Sequence, residues 1–130
     1  MSTRCNIVVI DVFGGNRTIE SLFQNPQLIT LDEANNIDNE TILYIHNDGY
    51  PSGVGRRLLG LFCEKEVKNA TQSARALMIH KEMYAKIDQE IYDGIEYLYL
   101  VTQTHIHFYQ IMYEERTIEQ FKLIDSYEIG

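Results

Sequence analysis

Runs and spacings of apolar residues along the chain predict most of its regular structure. Asn6–Asp11 (NIVVID) is a short β-branched run between polar residues and predicts a buried strand. Phe13-Gly14-Gly15-Asn16 breaks it. Ile19, Leu22 and Phe23 fall at helical spacing, which allows a short helix before Pro26. Residues 31–40 (LDEANNIDNE) are polar and acidic and read as a loop. Thr41–His46 (TILYIH) predicts a second strand. Val54, Leu58, Leu61 and Phe62 recur at i, i+4, i+7 and i+8, one face of a helix, with Ser52 as its N-cap. A second helix, capped by Asn69 or Thr71, carries Ala74, Leu77, Met78, Lys81 and Met83 or Tyr84 and ends near Ile87. Asp93-Gly94 signals a turn. Ile95–Val101 and Ile106–Tyr113 predict two strands joined as a hairpin through the short TQTH link. The tail alternates at Ile118, Gln120, Lys122 and Ile124, which suits an edge strand or a short helix. The pattern describes one α+β domain over residues 1–130: a mainly antiparallel sheet of four to five strands, with two helices packed on one face.

Composition narrows the picture. A chain of 130 residues has the size of one domain and can bury a core without disulfides or metal. It contains no long linker, repeat or low-complexity tract. Eleven basic and 19 acidic residues give a net charge of −8, and the basic ones are scattered. Nucleic-acid binders instead gather Lys and Arg against phosphates, so that class is disfavoured. Cys5 and Cys63 permit one disulfide, but each sits among apolar residues of a predicted element, and buried free thiols are the expectation. The N-terminus lacks the apolar run of a signal peptide, and no stretch approaches a membrane span. A soluble, cytoplasmic protein with no cofactor is expected.

The chemistry concentrates in residues 46–62, HNDGYPSGVGRRLLGLF. Gly49 and Gly53 or Gly55 permit positive φ, and Pro51 fixes its own φ, so the bend is expected to be rigid. Arg56 and Arg57 fall in the first turns of the predicted helix, where the dipole disfavours cations by about 0.3–1 kcal/mol each. One reading is that a phosphate or carboxylate docks on the bend's outward amides and meets both guanidinium groups. The other is that the arginines pair with surface acids and contribute little. The spacing lacks the Gly-Lys-Ser/Thr of a nucleotide-hydrolysing loop. If the first two strands pair antiparallel with Asn6 opposite His46, Arg4 lies opposite Asp48 and either bridges it or joins Arg56 and Arg57 on one anion. His46 and Asp48 are spaced to act as base and orienter, or to stitch the loop together. His105 and His107 share a strand face, but spacing supplies no third metal ligand. Tyr97 and Tyr99 line one strand face, and Tyr109 and Tyr113 one face of the next. Such rings stack on a base, or form a core edge or oligomer interface. The candidate ligand-binding set is Arg4, His46, Asp48, Tyr50, Ser52, Gly53, Gly55, Arg56, Arg57, Tyr97 and Tyr99. No catalytic or metal-ligating residue is assigned.

Three blocks carry a resemblance: Thr3–Ile7 (TRCNI), His46–Gly55 in the order His-x-Asp-Gly-Tyr-Pro-x-Gly-x-Gly, and Ile95–Tyr99 (IEYLY). Together they resemble a family of small, functionally uncharacterised phage and prophage proteins, over about two-thirds of the chain and excluding residues 14–40. The family usually has an aromatic residue, typically tryptophan, where this chain has Asn47. The resemblance implies a viral origin, an accessory role and a place in the host cytoplasm. By analogy with phage proteins that act as sponges, usually as oligomers, the expected function is sequestration of a phosphate-bearing host immune nucleotide, such as a cyclic ADP-ribose derivative or cyclic oligonucleotide. The expected assembly is a homo-oligomer. Two alternatives stand beside it. One is a small phosphodiesterase using His46 and Asp48. The other is an acidic inhibitor of a host enzyme, presenting Asp32, Glu33, Asp38 and Glu40.

Overall fold

The computed structural model describes residues 3–10, 18–64, 72–92, 94–112 and 120–128, with the backbone alone at 63–64 and 72–74. The apolar runs form strands β1 (Cys5–Ile10), β3 (Asn39–Ile45), β5 (Tyr97–Val101) and β6 (His105–Met112). Three further strands extend the sheet: β2 (Leu28–Thr30), β4 (Lys86–Asp88) and β7 (Gln120–Glu128). Among the described residues the order is β2-β7-β6-β5-β1-β3-β4. The domain is therefore α+β, with seven strands rather than four or five. All neighbouring pairs are antiparallel except β1 and β5, which run parallel from Cys5↔Tyr97 to Val9↔Val101. The predicted β5–β6 hairpin forms, closed by Thr102, whose N–H donates to the His105 carbonyl at 2.9 Å. The tail is a strand, but β2 pairs with its first residues, so only the rest of β7 is an edge.

Alternation along β1 sends Cys5, Ile7 and Val9 to one face and Val8 and Ile10 to the other, and all are buried. Both faces are covered. On the first lie a helical stretch through residues 51–64 and α4 (Gln72–Met83), which add Val54, Leu58, Leu61, Phe62, Ile79 and Met83 to the core. These are the two expected helices, and they do share a face. On the second lie the short helices α1 (Ile19–Leu22) and α2 (Leu31–Asn35), with Ile19, Phe23, Ala34, Ile37, Ile91 and Ile95.

Helix α2 replaces part of the expected loop at 31–40. Thr30 accepts from the Glu33 N–H at 3.1 Å while the Glu33 carboxylate accepts from the Thr30 N–H at 3.0 Å, a reciprocal cap. Helix α4 stops at Met83, short of Ile87. Tyr84 takes φ 53, the Ala85 N–H closes on the His80 carbonyl, and the chain returns as β4 along β3. The expected caps Asn69 and Thr71 lie outside the described residues, as do Asp11, residues 13–16, Asp93, Tyr113, Ile118 and the Cys63 side chain. Cys5 is a free, buried thiol, and burial followed by the Glu96 charge pushes its pKa well up. It stays protonated and inert as a nucleophile.

Candidate functional site

The bend between β3 and the following helix is tied down from three directions. The Gly49 N–H donates to the Thr3 carbonyl at 2.9 Å, the Val54 N–H to Asp48 O at 2.9 Å, and the buried Tyr99 hydroxyl to Gly49 O at 2.5 Å. The residue with positive φ is Asp48 (φ 60), not one of the glycines. Aspartate tolerates that conformation better than most side chains. The glycines serve close packing. A Cβ on Gly53 would strike the Asp48 carbonyl, and one on Gly55 would lie 2.8 Å from the Phe108 ring. These contacts, rather than glycine backbone angles, pin the bend.

The helix starts at Pro51, two residues before the Gly53 start that a Ser52 cap would set. Pro51–Gly55 and Gly60–Glu64 wind with wide i→i+5 turns around a regular α-helical centre, α3 (Arg56–Leu59). Ser52 therefore lies inside the first turn, Tyr50 occupies the cap position, and no side chain caps the end. Proline at the first position needs no acceptor. The next amides turn inward: Gly53 N–H and Val54 N–H donate to Tyr50 O and Asp48 O. These two amides are thus satisfied by the bend itself. Arg56 and Arg57 lie two residues further from the helix start than a Ser52 cap would place them.

The strand register also differs from the expected one. Asn6 pairs with Tyr44 and Cys5 with Ile45, two residues from the pairing that would set Arg4 against Asp48. Arg4 instead donates its backbone N–H to the Glu96 carboxylate at 2.7 Å and holds its guanidinium 6.0 Å from the centre of the Tyr92 ring. Asp48 faces Arg57 at 3.8 Å, both half exposed, and accepts from the Tyr50 hydroxyl at 3.2 Å.

A cavity of about 370 Å³ opens beside this bend, lined by Tyr44, Ile45, His46, Asn47, Asp48, Arg57, Met83, Tyr84 and Lys86. Its size falls in the usual small-molecule range of about 300–1,000 Å³. Three predicted residues, His46, Asp48 and Arg57, meet there. His46 Nδ1 shares a 2.9 Å hydrogen bond with the Tyr44 hydroxyl, so its partner is Tyr44 rather than Asp48. Burial is the main cause that raises the Tyr44 phenol pKa, with Arg4 acting in the opposite sense. The other predicted residues do not line the cavity. Arg4 lies under Tyr92, while Tyr50, Ser52 and Arg56 are exposed beside it. Gly53 and Gly55 are packed as described, Tyr97 is half buried against the core, and Tyr99 is wholly buried. Sequence reasoning missed Tyr44, Tyr84 and Lys86. Lys86 reaches the site only because β4 pairs Tyr44 with Lys86, and residues 84–87 read as helix.

Elsewhere, Asp32, Asn35, Asp88, Glu90 and Tyr92 help line an acidic hollow of about 590 Å³. Of the acids expected for an inhibitor of a host enzyme, Asp32 lines this hollow and Glu33 caps α2. His105 and His107 do share a face and stack, with centroids 5.5 Å apart and planes 10° from parallel. Their Nδ1 atoms engage Thr104 Oγ1 (2.9 Å) and Ser126 Oγ (2.7 Å), and His107 and Ser126 are direct cross-strand partners. Burial, then the His105 charge, lowers His107 to about 4, with Glu20 opposing. Among the described residues no three His, Cys, Asp or Glu side chains gather as a metal site. No helix among them is long and apolar enough to cross a membrane. Comparison with protein-family models, curated proteins and solved structures finds no match.

Proposed function

We propose that the chain is a binding protein for a phosphate-bearing small molecule, held in the cavity at the end of β3. One observation carries the reading. The protein has a net charge of −8, yet the cavity lining reverses that balance, with Arg57 and Lys86 against a single carboxylate, Asp48. Side chains, rather than the helix amides, are the anion donors: a guanidinium gives bidentate contact to phosphate oxygens, and an ammonium adds point charge. Tyr84, 95 % exposed at the rim, offers a ring face on which a base stacks. A nucleotide therefore suits the cavity. In the phage setting that the three sequence blocks imply, the ligand is a host immune nucleotide signal, and the protein acts by sequestration. Binding is favoured over hydrolysis because His46 is oriented by Tyr44 while Asp48 is engaged by Tyr50 and Arg57.

Calorimetric titration with ADP and with pyrophosphate tests the reading. A charge-assisted hydrogen bond is worth about 1.5–3 kcal/mol. Arg57→Ala should therefore weaken binding by about tenfold or more, whereas Arg56→Ala should leave it within twofold. Equal affinity for wild type and Arg57→Ala removes the site. Mass spectrometry of small molecules released by denaturing the protein after exposure to lysate from infected cells then identifies the ligand. An unmodified nucleotide supports capture, and a hydrolysed one supports an enzyme.

A further inference from the structure

Strand β4 forms one edge of the sheet; it is short and carries a lysine, but that lysine has a counter-charge on its own face. Its three residues, Lys86-Ile87-Asp88, pair with β3 on one side. Among the described residues, no other backbone hydrogen bond involves them. Ile87 is 63 % exposed, and Tyr84 beside it 95 %. The opposite edge differs: in β2 Ile29 is buried, Leu28 and Thr30 are half buried, and the strand runs directly into α2. Natural edges are usually short and carry lysine, which repels a second copy. Here the lysine is followed two residues later by an aspartate on the same face, since side chains alternate along a strand.

We propose that two copies of this chain pair through β4, antiparallel and centred on Ile87. Read in reverse, Lys-Ile-Asp becomes Asp-Ile-Lys. A two-fold axis at Ile87 therefore sets each Lys86 opposite the other copy's Asp88 on one face of the joined sheet. On the other face the two Ile87 side chains meet. Opposite charges and apolar pairs directly across an antiparallel ladder each favour pairing, and like charges oppose it. The same patch serves both copies, as a two-fold interface requires. Asp88 is already held in place by Asn6 Nδ2 at 3.2 Å, which reduces the ordering cost of its new contact. A three-residue ladder buries little area, so the dimer belongs to the weak class and assembles with concentration. This proposal goes beyond the cavity reading. Lys86 also lines the cavity, so assembly is measured without ligand and affinity is judged from Arg57→Ala, and either reading can then fail alone.

Sedimentation velocity from about 10 µM to 1 mM should show a monomer–dimer equilibrium, with ladder strength set by the cross-strand pairs. Lys86→Asp and Asp88→Lys place like charges across the axis and should each stay monomeric. Mixed in equal amounts, they should regain the dimer, because Asp-Ile-Asp then faces Lys-Ile-Lys. Circular dichroism checks that each variant is folded. If Asp88→Lys fails to fold, a cysteine pair decides the matter. Ile87→Cys should cross-link two copies under oxidised glutathione, whereas Leu77→Cys, at a site 67 % exposed in the wild type, should not link beyond the wild-type level. A monomer at 1 mM, a dimer indifferent to both charge changes, or open-ended aggregation in place of a dimer overturns the proposal.

Discussion

Tyr99→Phe is the sharpest probe of how the bend beside the cavity is held. Tyr99 is wholly buried, and its ring packs edge-on against Phe108 with centroids 5.0 Å apart. Phenylalanine keeps that contact and removes only the hydroxyl that donates to Gly49 O. Leaving a buried acceptor without this donor costs about 1–3 kcal/mol. With an unfolding entropy of about 2.1 cal/mol/K per residue, that corresponds to a melting temperature lower by about 4–11 °C for a chain of this length. The fall should appear as a lower urea midpoint with unchanged slope. Stability alone does not locate the effect, so Tyr109→Phe serves as the control. It loses a comparable bond, to the Pro26 carbonyl at 2.7 Å, on the opposite face of the sheet. Amide hydrogen exchange at Gly49 and Val54 separates the two. Each 1.4 kcal/mol of local opening is about a tenfold change in rate. Exchange there should accelerate about tenfold in Tyr99→Phe beyond its acceleration in Tyr109→Phe. Equal exchange in the two variants, or an unchanged midpoint in Tyr99→Phe, refutes the idea that this hydroxyl fastens the bend.

Stability should depend on His107 below neutrality. Its pKa is about 4 in the fold against 6.5 for an unperturbed group, so between those values the unfolded chain binds more protons. The buried, neutral ring thus supports the fold above about pH 6.5, and that support is lost as pH falls towards 4, by about 3 kcal/mol at most. Urea midpoints measured across this range should slope for wild type and flatten for His107→Gln; an unchanged slope in the variant refutes the assignment. Thr30→Ala removes one half of the cap on α2 and should cost about 1 kcal/mol in thermal unfolding. A neutral result would show that packing of Ala34 alone holds that helix.

What could be read from the residues was what local pattern encodes. β1, β3, β5 and β6 are apolar runs, and the helical stretch after Pro51 presents Val54, Leu58, Leu61 and Phe62 inward as their spacing predicts. Helix α2 was legible through Thr30 and Glu33 at capping-box spacing, but the acidic composition of residues 31–40 hid it. β2 and β4 were not legible. Three residues have no resolvable period, and each exists because a distant strand pairs with it. Strand order was equally hidden, because alternation specifies faces and not neighbours; the parallel β1–β5 pair joins segments about ninety residues apart. The candidate site divides along the same line. His46, Asp48 and Arg57 lie within twelve positions of one another and could be grouped from the bend. Lys86 and Tyr84 arrive through tertiary pairing alone.

The central place of β1 has a consequence for how the protein is made. Its two flanks are β3 and β5, and β5 lies at residues 97–101. As the chain leaves the ribosome, the earliest strand is half zipped to β3 and must wait for most of the remaining polypeptide before its second side closes. Throughout that interval Cys5-Asn6-Ile7-Val8-Val9-Ile10 shows an open apolar border, the kind that recruits neighbouring nascent chains. Translation that stalls before Tyr97 therefore yields a fragment poised to clump, and the last quarter of the chain protects the first strand.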